Sequence, residues 1–143
     1  MAFAMKMRFV DVITDGSLKN RYANGEKVGY QFDIRLGYYR GHFLSTIDRF
    51  EVTVDDEPIL PQDLRFCING KEFAPTELKD CVTEFWQLTS PAQVKVIKQG
   101  GLPAGKHTIK VELMLRVPYM QIGPGHQFMP LDSGQEKTIE LID

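Results

Sequence analysis

The sequence predicts an all-β fold, a single antiparallel β-sandwich with short hairpins, and three observations support this prediction. Apolar and polar residues alternate with a period of two through most of the chain, as in strands with one buried face. Turn signals separate these runs at short intervals, which is typical of a sandwich or a barrel-like sheet. The 143 residues include 43 % hydrophobic and 25 % charged residues, an ordinary composition for one domain over residues 1–143.

Alternation is clearest in three runs, residues 28–36, 50–55 and 109–117, and each predicts a half-buried strand. Residues 137–142 alternate again and predict a final strand at a sheet edge. A loop over residues 121–135 is expected to lead to this last strand. No segment of helix length has convincing helical spacing in the sequence.

Turn signals place the connections between the strands. The dipeptide Asn24-Gly25 predicts a tight hairpin, because both residues tolerate the left-handed backbone that such a turn needs. The acidic residues 55–57 lie in a second turn and are expected to form a solvated tip. Proline and an early glutamate favour one short helical turn over residues 75–79. Further turns are predicted at residues 68–71 and 100–105.

Charge and hydropathy exclude several classes of function. The chain has 17 basic and 19 acidic residues and a net charge of -2, so it has no global field for nucleic acid or an anionic membrane. No stretch approaches the roughly 20 apolar residues that span a bilayer. Lys6 and Arg8 interrupt the first apolar run, which is therefore not expected to be a secretory signal. A cytoplasmic protein is the expectation.

Cysteines and histidines suggest no metal centre in this chain. The two cysteines are expected to be free thiols, with Cys67 a small buried hydrophobe in an apolar run. The spacings typical of zinc sites, such as CxxC and HExxH, do not occur. His107 is interpreted as a structural or solvent-facing residue on the polar face of a strand. His42 and His126 lie in glycine-rich segments, and their roles stay open.

The segment of residues 36–43 is unlike a plain connection. Tyr38 and Tyr39 point to opposite faces if extended, so they cannot both be core residues. Arg40 offers a planar cation, and tyrosine and arginine are enriched at interface hot spots. Two interpretations stay open: a corner packed by Tyr38, or a binding loop that includes His42.

A second unusual segment, residues 118–130, is apolar and rich in methionine, glycine and proline. It includes Tyr119, Met120 and a single titratable residue, His126. Such a segment should not remain in water in a monomer. It either folds back over its own sandwich or docks on a partner, and we favour the partner. Nucleophile and phosphate-binding motifs do not occur in the chain, so an autonomous enzyme is not expected.

Several short segments follow one another in an order that resembles a known family. They are Asn24-Gly25, 29–36 (GYQFDIRL), 38–41 (YYRG), 50–55 (FEVTVD), Arg65-Phe66, Asn69-Gly70, Trp86, 100–107 (GGLPAGKH), Arg116 and Pro118-Tyr119-Met120. This set resembles the small β subunit of bacterial C-glycoside deglycosidases and covers most of the chain. No single motif in it is a catalytic signature.

The resemblance implies a heteromeric carbon–carbon lyase in which this chain is not catalytic alone. The larger α subunit would be a TIM barrel that carries a divalent metal, usually manganese, and this chain would bind no cofactor. The substrate would be a 3-oxo-C-glycoside, cleaved by removal of the C2 proton and β-elimination. No catalytic residue is carried over, although a tyrosine hydroxyl or His126 could donate a proton. The interface or pocket candidates are Tyr38, Tyr39, Arg40, His42, Tyr119, Met120 and His126.

The rival interpretation is a stand-alone carbohydrate-binding or assembly module built on the same sandwich. Carbohydrate binding would favour exposed aromatic residues on a strand face. Trp86, the only tryptophan, is followed by Gln87-Leu88 and is expected to pack in the core. The lyase subunit is therefore the favoured function.

Overall fold

A computed structural model describes residues 11–37, 40–122 and 127–142; for residues 118–122 and 127–128 it describes the backbone alone. These residues form twelve strands and three short 3-10 helices, Leu44–Thr46, Pro61–Asp63 and Pro75–Asp80. None of these described helices is long and apolar enough to cross a membrane. The strands are β1 (Lys19–Ala23), β2 (Glu26–Ile34), β3 (His42–Phe43), β4 (Ile47–Val54), β5 (Glu57–Pro58), β6 (Leu64–Ile68), β7 (Lys71–Phe73), β8 (Phe85–Trp86), β9 (Ala92–Ile97), β10 (Lys106–Ile122), β11 (Gln127–Asp132) and β12 (Gln135–Glu140).

Two five-stranded antiparallel sheets make up the fold. The first sheet has the order β1-β2-β9-β6-β7 and the second the order β11-β10-β4-β5, with β12 also paired to β10. A separate ribbon joins β3 to β8. The described strands do not close into a barrel, so the all-β prediction is confirmed in its sandwich form.

The core lies between the two sheets and follows the predicted alternation. Tyr30, Phe32 and Ile34 on β2 are buried, as are the odd-numbered residues of β10 from Ile109 to Val117. Phe66 of the first sheet joins the two layers, because its ring packs edge-on at 5.3 Å from Phe50 and at 5.2 Å from Trp86. Each large side chain that is fully buried contributes about 1.5–3 kcal/mol.

The predicted hairpin turns are confirmed by their backbone angles. Asn24 and Gly25 have φ values of 54° and 81°, and Asn69 and Gly70 have φ values of 54° and 75°. Positive φ at both central residues is the mark of a type I′ turn, whose twist matches that of the strands it joins. The predicted helical turn is also present, as the 3-10 helix Pro75–Asp80.

The predicted loop over residues 121–135 is wrong. β10 continues to Ile122, and β11 (Gln127–Asp132) pairs back along it. The register moves from Val117↔Met129 directly to Gln121↔Phe128, so a bulge interrupts the ladder. A bulge tolerates Pro118, which has no N–H to donate, and this is why an apolar proline-containing segment continues as a strand.

Two predictions about titratable side chains need correction. His107 is buried, because it shares the inward face of β10 with Ile109 and does not lie on the polar face. Asp55 is more than part of a solvated tip, since it is hydrogen-bonded to His107 and accepts a bond from the Thr108 N–H. The turn brings this exposed aspartate over the buried histidine, a contact between residues 52 positions apart.

The cysteines are both free, as predicted. Cys67 is half-buried on the outer face of β6, between the inward-facing Phe66 and Ile68, so its prediction as a buried hydrophobe is wrong. Strand alternation explains the difference, because neighbours of a core residue point to the opposite face. Burial raises the pKa of the Cys67 thiol.

Candidate partner-binding end of the sandwich

The β3–β8 ribbon has one buried and one exposed pair of side chains. His42 pairs with Trp86 and Phe43 pairs with Phe85. His42 and Trp86 face inward and are buried, and the indole N–H donates to the carbonyl oxygen of Ser90 at 2.9 Å. Phe43 and Phe85 face outward and remain 44 % and 39 % exposed. The ribbon therefore carries an aromatic surface directly over the core.

Phe43 and Phe85, here called the aromatic pair, contact each other edge to face. Their ring centroids are 4.9 Å apart at an interplanar angle of 74°. Val82 and Leu88, in the same connection as Phe85, are also exposed. Large aromatic side chains clustered in this way are enriched in the cores of protein interfaces.

Gly41 makes the close approach of the ribbon possible. A Cβ atom at this position would lie 2.6 Å from a ring carbon of Phe85 and 2.6 Å from the carbonyl oxygen of Trp86. Neither distance is sterically tolerable, so any side chain here would force the two strands apart. This close approach explains why a glycine occupies the last position of the YYRG segment.

His42, a predicted site residue, has its side chain inside the fold. Its Nδ1 lies 3.5 Å from Thr46 Oγ1, and burial lowers the pKa of the imidazole. A neutral imidazole in this position packs on the core side of β3. His42 can therefore affect the exposed surface only indirectly, because it helps to position Phe43, the next residue of the strand.

Arg116 fastens β10 to the same end of the molecule. Its guanidinium donates to the carbonyl oxygen of Ser45 at 2.6 Å and to Asp48 Oδ1 at 2.9 Å. Ser45 lies in the 3-10 helix that follows β3. The part of β10 around Arg116 therefore lies beside this 3-10 helix, and the strand continues to Ile122.

A second contact joins the segment after β2 to the second sheet. The backbone N–H of Gly37 donates to Ser133 Oγ at 3.0 Å, in the connection between β11 and β12. The β3–β8 ribbon and the contact of Arg116 with Ser45 define one end of the described sandwich. We call this end, with the aromatic pair, Arg40 and Arg116, the partner end.

The structure places the predicted site residues unequally. Arg40 is exposed beside the ribbon, His42 is buried, and only the backbone of Tyr119 and Met120 is described. Tyr38, Tyr39 and His126 lie outside the described residues. The sequence reasoning missed the aromatic pair. Its signal is the dipeptide Phe85-Trp86, since two adjacent aromatic residues in a strand cannot both face the core.

The described residues offer no set of ligands for a metal. Among them, no group of three histidine, cysteine, aspartate or glutamate side chains is arranged to hold a metal ion. The partner end presents two arginines and aromatic rings, which suit contacts with protein or with an aromatic ligand. The geometry thus favours a recognition surface.

Comparison with known families agrees with this picture. The model of the family described as "C-glycoside deglycosidase beta subunit" matches residues 9–119, well over half of the chain. The chain belongs to this family. The matched region includes the β3–β8 ribbon, Arg116 and most of β10, so it contains the described part of the partner end.

Curated members of the C-glycoside deglycosidase beta subunit family are similar over most of their length. The C-glycoside deglycosidase beta subunit of Eubacterium cellulosolvens is 34 % identical over 116 residues, which cover 81 % of this chain and 78 % of the relative. The 3'-dehydrocarminate deglycosidase beta subunit of a Microbacterium species is 34 % identical over 97 residues, 68 % of this chain and 73 % of the relative. A beta subunit implies a partner subunit in an enzyme complex.

Proposed function

We propose that this chain is the small subunit of a cytoplasmic carbon–carbon lyase that cleaves the C-glycosidic bond of 3-oxo-C-glycosides. The observation that carries the proposal is the family match over residues 9–119. The oxidised sugar is supported by one relative, a deglycosidase named for 3'-dehydrocarminate. The same proposal predicts that a separate oxidoreductase supplies the 3-oxo sugar.

The chemistry follows from the ketone at C3 of the sugar. A carbonyl group acidifies the adjacent C2–H bond, so a general base can remove that proton and leave an enolate. The electron pair then forms the C1–C2 double bond, and the bond from C1 to the aglycone breaks. The departing aromatic carbon takes up a proton, and the products are the free aglycone and an unsaturated 3-keto sugar.

The division of labour between the subunits assigns the metal to the partner. The resemblance implies a TIM-barrel α subunit with a divalent metal, manganese, and the described residues of this chain fit no such ion. The role of this chain is to stabilise the complex and to form one wall of the pocket. No proton transfer is assigned to its residues.

The partner end is the surface proposed to meet the α subunit. It combines an exposed aromatic pair with Arg40 and Arg116, the residue types that dominate interface energies. The contacts of Arg116 with Ser45 and Asp48 hold β10 beside the 3-10 helix that follows β3. Tyr38, Tyr39, Tyr119, Met120 and His126 stay candidates for the same surface.

The experiment is a reconstitution. A tagged form of this chain is co-expressed with the TIM-barrel protein encoded beside its gene, purified, and assayed with a 3-oxo-C-glucoside. We expect the two proteins to co-purify and to release the aglycone, with each chain inactive by itself. Full activity of the TIM-barrel protein alone, or a tagged chain that never associates with it, would contradict the proposal.

A further inference from the structure

The β3–β8 ribbon is too short to hold its own position on the sandwich. Each of its strands contributes two residues, His42–Phe43 and Phe85–Trp86. A two-stranded ribbon by itself is marginally stable at best in water. Trp86 anchors the inner side of the ribbon in the core, but its neighbour Phe85 faces outward. Further contacts are therefore needed to fix the place of the aromatic pair.

Glu84, the residue directly before β8, connects both strands of the ribbon with the first sheet. Its backbone carbonyl oxygen accepts a hydrogen bond from the N–H of Leu44, the residue directly after β3, at 2.9 Å. Its carboxylate accepts from the amide of Asn69 at 3.0 Å and from the ammonium group of Lys71. Asn69 lies in the turn of the β6–β7 hairpin, and Lys71 is the first residue of β7. One residue thus joins the ribbon to the edge of the first sheet.

Asn69 also holds β8 by a second bond. The same side-chain amide donates to the carbonyl oxygen of Phe85 at 3.2 Å. The turn needs a residue that tolerates a φ of 54°, and asparagine meets this need while it carries two amide donors. The hairpin turn therefore presents a donor to Glu84 and a donor to Phe85.

The carboxylate of Glu84 is more sheltered than the lysine beside it. The Glu84 side chain is 13 % exposed, whereas that of Lys71 is 61 % exposed. The hydrogen bond from Asn69, followed by that from Lys71, lowers the pKa of the Glu84 carboxyl, so this group is ionised at neutral pH. An exposed ion pair alone contributes little to stability, but here an amide and a cation share one carboxylate. The contacts therefore act as a small network that spans the hairpin and the ribbon.

We infer that Glu84 is the positioning residue of the aromatic pair, because its contacts with Asn69 and Lys71 fix the ribbon before any partner binds. A surface that is already ordered loses less conformational entropy on association, so it binds more tightly. This consequence for binding rests on the proposed function, in which the aromatic pair meets the α subunit. The position of the ribbon is a property of this chain alone.

Two conservative substitutions and their combination test this role. Glu84→Gln removes the charge, and Asn69→Asp removes the amide donors while the turn keeps a residue type that tolerates positive φ. In the double variant the introduced amide can donate to the introduced carboxylate, so the hydrogen bond returns with its direction reversed. A general effect of either substitution on the fold would not be repaired by this exchange.

The first readout is the affinity of each full-length variant for the purified partner subunit, measured by titration calorimetry. We expect each single variant to bind about five- to tenfold more weakly, and the double variant to recover to within about twofold of the unchanged chain. Glu72→Gln is the matched control, since it changes a carboxylate of the same hairpin that is paired with Lys95 on the outer face of the sheet. It should bind as the unchanged chain does.

The second readout is amide hydrogen exchange of the full chain, which needs no partner. Exchange at Leu44, whose N–H donates to Glu84, reports local opening of the ribbon, and exchange at Val94 in the middle of β9 reports opening of the core. We expect Glu84→Gln to speed exchange at Leu44 about tenfold and to leave exchange at Val94 unchanged, because only the ribbon is released.

The two readouts distinguish failure of this inference from failure of the proposed function. Unchanged exchange at Leu44, equal acceleration at Leu44 and Val94, or no recovery of affinity in the double variant would each overturn the inference. Faster exchange at Leu44 alone, in a chain that binds no partner, would confirm the role of Glu84 and contradict the proposed function. Full affinity of both single variants would overturn the positioning role and leave the proposed function intact.

Discussion

The imidazole of His107 is held between two acceptors, with Nδ1 2.6 Å from Asp55 Oδ2 and Nε2 2.8 Å from the carbonyl oxygen of Pro103. Neither acceptor can donate, so both ring nitrogens must carry a proton for both bonds to form. Burial opposes this charge, but the hydrogen bonds that the ring donates to Asp55 and Pro103 outweigh it and raise the pKa of His107. A buried imidazolium thus joins the β4–β5 turn to the start of β10.

This pair predicts stability that depends on pH. The raised pKa of His107 makes its contribution complete below about 6.5, and the contribution is lost as pH rises through the folded-state pKa. The pKa of Asp55 is lowered, although burial opposes this, so its contribution is lost as pH falls from about 3.8. Asp55→Asn should therefore cost about 1–2 kcal/mol near pH 6 and much less at pH 9. Urea unfolding followed by Trp86 fluorescence measures the difference.

Asn is a well-matched replacement at this position. Asp55 has a φ of 50°, which asparagine also tolerates, and the amide oxygen can still accept from the Thr108 N–H. Asp56→Asn, at the next position of the same turn, is the control. A loss in Asp55→Asn that is equal at both pH values would show that the imidazolium is not the cause.

Asn20 should be a key residue for the glycine-rich connection between β9 and β10. Its side-chain amide donates to the carbonyl oxygen of Leu102 at 2.9 Å and accepts from the Leu102 N–H at 2.8 Å, and it is buried. Asn20→Ala leaves two buried backbone groups unsatisfied, so we expect a loss of about 2–4 kcal/mol in the free energy of unfolding. Asn24→Ala, at an exposed turn residue, is the control, and its change in the free energy of unfolding measures a purely local effect. A loss in Asn20→Ala that is smaller than the loss in this control would refute the assignment.

Asp33 should reduce stability at neutral pH. Its pKa is raised by burial, so the ionised form is less favourable in the folded chain than in the unfolded chain. Stability is therefore lost as pH rises above about 3.8, and Asp33→Asn should raise the melting temperature at pH 7 but not at pH 3. Differential scanning calorimetry at both pH values decides the point. A variant that melts lower at pH 7 would show that the carboxylate has a stabilising partner.

The aromatic pair should be needed for association with the partner subunit. Phe43→Ser with Phe85→Ser removes both exposed rings, and hot-spot residues of this kind weaken binding by about 2 kcal/mol, roughly 30-fold. Binding is measured by titration calorimetry with the purified partner. Leu60→Ser is the control, since Leu60 is 55 % exposed in the connection after β5. Equal affinity of the double variant and the control would remove the aromatic pair from the interface.

Metal content provides a test of the division between the subunits. We expect elemental analysis of the purified chain to find less than stoichiometric transition metal, and the assembled complex to contain its divalent ion. The reason is the lack of a three-ligand cluster among the described residues. The separately purified partner is the control for metal retention. A tightly bound ion in this chain alone would contradict the proposed division.

Local chemistry explains which parts of the fold were predictable. The alternation of residues 28–36 and the dipeptides Asn24-Gly25 and Asn69-Gly70 act over neighbouring residues, and the structure confirms all three. The continuation of β10 past Pro118 was not predictable in this way, because a bulge in the pairing with β11 allows it. Such a bulge depends on a partner strand, and the sequence of one strand does not contain it.

The candidate site was also predictable from the sequence only in part. The sequence drew attention to residues 36–43 and 118–130 because glycine, tyrosine and methionine are unusual there. It could not show that His42 faces inward, nor that Phe43 meets Phe85, because residues 42 positions apart become neighbours only through the ribbon. Position along a short strand, not residue type, decides which ring is exposed.

By itself the sequence determined the all-β class, the turns and the family, since period-two patterning and turn chemistry are properties of short stretches. The tertiary structure alone decided which side chains act together. It placed Asp55 on His107, Arg116 on Ser45, and Asp33 beside Gln93. These pairs come from different strands, and their energies depend on burial and distance that exist only once the two sheets have packed.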